Sequence, residues 1–221
     1  MAANEKIGEM KRVGTGLALI LFPPVLLVGF LLHPNILSLE LVTDAEVWAA
    51  EFRGNFLFHF GHLLVMLVAP LAMIVGTRCM RFATGEGAWL IFLGGVLGVF
   101  GAFVLGVDKG ALTLVLTAFD TLPDAAFEQS YPALQVLLDR AGWLWIIQAL
   151  ALLPLGFILQ AIGLAKAGVI PRWRSVVIVI GMATLFAGDI EIITSIGAVL
   201  MCVGYIPMGF QELRGQLRAA A

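Results

Sequence analysis

Histidine occurs three times in the chain, as His33, His59 and His62, and carboxylates stand at Asp108, Asp189 and Glu191 within or beside apolar runs. Imidazole nitrogen and carboxylate oxygen are the donor set of zinc and non-haem iron sites, and they are equally the parts of a general acid/base pair. His59 and His62, in Asn55-Phe-Leu-Phe-His59-Phe-Gly-His62, are three residues apart, which puts both rings on one helix face, one turn from each other. Counted at 1.5 Å per residue from Gly54, His59 falls about 8 Å and His62 about 12 Å below the outer edge of a hydrocarbon layer about 30 Å thick. The same count puts Gln148 and Asp189 about 9 Å below that edge, with Glu191 in the turn that follows. Three spans therefore carry polar side chains to one depth, where an ionisable group is costly unless paired, hydrated or bound.

This layer predicts an outward-facing polar pocket built around His59, His62, Gln148, Asp189 and Glu191. His33, Asp108 and Lys109 are further ligand-binding candidates. His59, His62, Asp189 and Glu191 would form a metal site if the second, fifth and sixth spans touch, although no His-Glu-x-x-His or Glu-x-x-His signature accompanies them. Two histidines on one helix argue against a bis-histidine haem, and a metal ion remains an open cofactor. Without a metal, the same four residues are catalytic candidates, a carboxylate orienting an imidazole and fixing its tautomer for proton transfer. The competing account is structural: Asp108-Lys109 as an interfacial anchor, snorkelling at Asp189, and histidines bonded to neighbouring helices.

The elements that must position these residues follow from composition. Of 221 residues, 61% are apolar and only 13% are charged, far from an ordinary soluble surface. The net charge of -2, with no Lys/Arg cluster to neutralise phosphates, excludes a basic nucleic-acid binder, so no nucleic-acid partner is expected. Long apolar runs predict one all-α transmembrane domain over residues 1–221, a polytopic helical bundle with spans near 13–32, 54–76, 88–107, 142–165, 175–188 and 190–211. The last two come from one run, Ser175 to Gln211, too long for a single crossing and broken at Gly188-Asp189 and Glu191.

Charge sorting predicts the orientation. With both termini inside, ten of thirteen basic residues lie in inner segments, and eleven of fifteen acids lie outside. A multi-pass inner-membrane protein, N-in and C-in, is the expectation. The first span has a basic start but no small-x-small cleavage pattern, so it is read as retained. Cys79 in an inner loop and Cys202 in the sixth span are not expected to pair.

The outer loops predict two interfacial helices forming a lid, residues 43–53 behind a Thr43-Asp44 cap and about Pro132 to Arg140. Gly94, Gly98, Ala102 and Gly106 form a small-residue ridge on the third span, suited to close packing and to docking against other membrane proteins. Ala18-Leu-Ile-Leu-Phe-Pro23 resembles Ala149-Leu-Ala-Leu-Leu-Pro154, the pattern of an inverted three-plus-three repeat.

Three functions stand open from the sequence. One is a pocket that binds or processes a small apolar or lipid-like ligand with or without a metal. The second is a non-catalytic accessory or assembly subunit, and the third is a small transporter. The inner half offers only Gln160, Thr184 and Tyr205 as polar candidates for a through-pathway.

Overall fold

The computed structural model describes residues 2–188 and 190–218. Among these all regular secondary structure is helical, with no strand. The long helices are α1 (Ala2–Leu31), α3 (Phe56–Cys79), α4 (Ala88–Asp120), α7 (Leu152–Lys166), α8 (Arg172–Ala183) and α9 (Glu191–Leu213). Short helices α2 (Ala45–Phe52), α5 (Asp124–Glu128) and α6 (Tyr131–Leu138) lie in the connections after α1 and after α4. Five stretches are long and apolar enough to cross a membrane: Asn4–Leu31, Phe56–Phe82, Gly85–Asp120, Gly142–Lys166 and Glu191–Leu213.

The six long helices pack in a closed ring in chain order: α1 on α3, α3 on α4, α4 on α7, α7 on α8, α8 on α9, and α9 back on α1. Glycine permits the closest of these contacts. A Cβ on Gly94 would lie 2.5 Å from Gly156 O and from Gln160 N of α7, and one on Gly101 would lie 2.5 Å from Leu153 Cα. The expected docking ridge is thus used inside the chain: Gly94 and Gly98 face α7, Ala102 is buried, and Gly106 faces Ala69 of α3.

Halfway along the ring an aromatic cluster closes the interior. Tyr205 stands edge-on to Phe22 at 4.7 Å between ring centroids and to Phe157 at 6.3 Å. At the end of the ring that carries both termini Arg81 pairs with Glu212, which is 1% exposed, while Arg78 donates to Thr15 Oγ1 and Arg174 to Gln211 Oε1. Cys79 is the last residue of α3 rather than part of a loop, and both cysteines are free.

At 33 residues, α4 is about 50 Å long and exceeds a 30 Å core by about 20 Å. Its far end belongs to a separate outer core in which Leu116 packs with Ala45, Ala49, Phe52, Phe58, Phe127 and Leu134. Both expected lid helices are present, and Asp44 caps α2 by accepting from Glu46 N and Val47 N. Arg53 ties this lid to α4, donating to the C-terminal carbonyls of Phe119, Asp120 and Leu122 and lying 4.1 Å over the Phe127 ring.

Two outer stretches depart from regular α-helix. Gly142–Ala151 runs as a 3-10 helix with no buried residue. Pro154 cannot donate to the Leu150 carbonyl and crowds it, which favours the tighter i to i+3 pattern ahead of α7. Thr184–Ala187 continues α8 as a second 3-10 turn, ending at Gly188 with φ 65°. By contrast, Pro23 and Pro24 lie inside an unbroken α1, so the two similar hexamers adopt different local structures.

Candidate functional site

The ring encloses a cavity of about 250 Å³ in the half away from the two termini, open to the surroundings and lined by all six long helices. Its floor is apolar: Phe22, Ala72, Leu153, Phe157, Met182 and Met201 come from five helices. Its upper wall carries Asp108, Lys109, Arg140, Gln148 and Thr194. The 3-10 segments Gly142–Ala151 and Thr184–Ala187 both border it but barely touch each other, which leaves the ring weakest on that side. Trp143 and Trp145 stand exposed beside this seam, as aromatic residues do at a lipid–water boundary.

A side chamber of about 30 Å³ adjoins the cavity through shared residues Phe30, Val65, Lys109, Gly188 and Thr194. His33, His62 and Glu191 complete its lining. His33 Nδ1 lies 3.2 Å from Glu191 Oε1, and the His33 and His62 rings are 5.0 Å apart at 34°. His62 Nδ1 donates to the Phe58 carbonyl one turn back at 3.1 Å, so the neutral ring keeps its lone pair on Nε2. The chamber is large enough for a water molecule.

The expected pocket is therefore divided. His62 and Glu191 line the side chamber together with His33 and Lys109, and Gln148 and Asp108 line the main cavity. His59 lies elsewhere. Its Nε2 donates to Asp120 Oδ2 at 3.2 Å, and Asp120 also accepts from Gly54 N, so this pair belongs to the lid. His59 and His62 stand one turn apart on α3, as expected, but α4 runs on to Asp120 and offers its carboxylate to the His59 ring on the lid side. Asp189 lies outside the described residues. Among the described residues, no group of three or more His, Cys, Asp or Glu side chains is placed to hold a metal ion.

Arg140, Thr194 and Phe30 join the site without having been singled out in the sequence. Arg140 carries a signal of sorts: it has φ 52° in the turn that leads into the 3-10 segment, two residues before Gly142 at φ 59°. Thr194 had none, since a hydroxyl one turn into an apolar helix commonly bonds its own backbone, as this one does to Ile190 O and Glu191 O. No family model, curated protein or solved structure matches the chain.

Proposed function

We propose that the chain is a six-span inner-membrane protein, N-in and C-in, that holds a small apolar or lipid-like ligand in its outward-facing cavity. The observation that carries this is the lining: an apolar floor at the middle of the ring, polar groups at its outer end, and a weak seam between two 3-10 segments. A lipid of the outer leaflet has the same polarity along its length and reaches such a seam sideways. The cavity size falls just below the usual range for small-molecule sites, which are likewise mostly apolar with a few convergent polar groups.

The sixth span is supported by packing and length. α8 has 12 residues and its 3-10 extension 4, together about 26 Å, and this rod fills the place in the ring between α7 and α9. Cysteines introduced at Glu46 in α2 and at Gln216 beyond α9 are expected to react with an impermeant maleimide from opposite sides of sealed vesicles. Labelling of both from one side would overturn the even span count.

Ligand binding is tested at the seam. Ala151 is exposed and borders the cavity, so Ala151→Trp adds bulk there without entering the packed core. Native mass spectrometry of the detergent-purified protein should show bound lipid in the parent, and at least tenfold less in the variant at unchanged helical content. Equal lipid in both would remove the cavity from consideration.

A further inference from the structure

The charges in the cavity wall point to the kind of headgroup it takes. Asp108 and Lys109 are neighbours on α4, with side chains 11% and 20% exposed, and Lys109 Nζ lies 3.7 Å from Asp108 Oδ2. That separation is too long for a hydrogen bond. Among the described residues, the Lys109 ammonium donates no hydrogen bond and the Asp108 carboxylate accepts none, although both groups line the cavity. The side chamber contains its own pair, His33 and Glu191, and Arg140 is already engaged within the chain. The wall thus presents an ammonium and a carboxylate side by side, ion-paired with each other beyond hydrogen-bond distance, with Arg140 engaged elsewhere.

An ionic headgroup would satisfy one member of this pair and leave the other facing a like charge. In a low-dielectric lining that is strongly unfavourable. A neutral headgroup that both donates and accepts satisfies both members and keeps the charges balanced. Such a group strengthens two charge-assisted hydrogen bonds at once.

Building on the cavity reading above, we propose that the site selects an uncharged, hydroxyl-bearing, single-chain amphiphile. Its hydroxyl headgroup bridges the Asp108 carboxylate and the Lys109 ammonium, and its chain lies on the floor formed by Phe22, Phe157 and Met201. Gln148 and Thr194 on the same wall offer further neutral polar groups to a polyol.

The test changes the charge balance one residue at a time. Purified protein is incubated with equal amounts of 1-monooleoylglycerol, oleyl phosphate and oleylamine, and native mass spectrometry reads which adduct survives. The parent is expected to retain monooleoylglycerol at least tenfold over either ion. Asp108→Asn leaves a net positive wall, so oleyl phosphate should overtake the neutral lipid; Lys109→Gln leaves a net negative wall, so oleylamine should. Both replacements are close in size and face the cavity, and either one that folds decides the matter. A parent that prefers an ion, or a folded variant whose ranking is unchanged, overturns the headgroup assignment while leaving the cavity as a lipid site. A parent that retains none of the three overturns the cavity reading itself.

Discussion

Gly156→Ala is expected to lower the unfolding midpoint in detergent by about 6 °C or more. A Cβ at this position would overlap the backbone nitrogen of Gly98 and stand 2.5 Å from Gly98 Cα and 2.6 Å from Gly94 O. These are backbone atoms of α4, so no rotamer change relieves the clash, and the two helices must separate. Forced overpacking costs up to about 3 kcal/mol and occasionally more. For a chain of this size each kcal/mol corresponds to roughly 2–4 °C. Gly14→Ala is the matched control, because nothing lies within 4 Å of its Cβ position and α1 gains a better helix former. Its midpoint should hold or rise. If Gly156→Ala behaves like Gly14→Ala, α4 and α7 do not pack as described.

The second large effect concerns the inner end of the ring. Arg81→Ala is expected to destabilise the protein by about 3–5 kcal/mol, the usual consequence of stranding a buried charge. Glu212 is the member that suffers: it is 1% exposed, and its Oε1 already lacks a partner, so loss of Arg81 leaves the carboxylate with none. The reverse change, Glu212→Gln, should cost clearly less, because 31% of the Arg81 side chain is accessible and its long stem can carry the charge to water. Replacing both with leucine should recover most of the loss. Denaturation midpoints of the three variants check this order. Maleimide labelling of Cys79 offers a second readout, since that thiol is buried two residues before Arg81 and should react faster as the inner end loosens. Equal losses for Arg81→Ala and Glu212→Gln would mean that the pair is not buried asymmetrically.

Much of the architecture is legible from hydropathy and spacing. The apolar runs locate all the long helices, and the Thr43-Asp44 cap locates α2 to within two residues. The fifth long helix is the hard case. Its apolar run continues into α9, and only the break at Gly188 reveals two helices, the first too short to be counted by length alone. The glycine ridge is legible as a close-packing face, but not which helix it serves, because one small-residue stripe suits a partner in the same chain or in another.

The candidate site is legible only in part. Depth counting brings His62, Glu191 and Gln148 into one outer layer, and all three line the cavity or its side chamber. It does not anticipate the partner of His59, because α4 runs unbroken to Asp120, whose carboxylate meets the ring from 61 residues away. Glu212 shows a different limit. It is one acid at an end of the chain rich in bases, and its partner Arg81 is 131 residues away, so nothing local announces a buried pair.

By itself, the sequence determined a helical protein with membrane-length apolar segments, bases and acids sorted to opposite ends, and histidines and carboxylates gathered toward the acidic end. These properties depend on composition and on a period of 3.6 residues, both local to each segment. The tertiary structure alone decided that the six helices close into a ring, that His33 rather than His59 joins His62, and that Asp108 and Lys109 face a common cavity. Those outcomes depend on how far each helix continues past its apolar run, and on where a glycine lets two backbones meet. Both are set by long-range packing, which no single helix encodes.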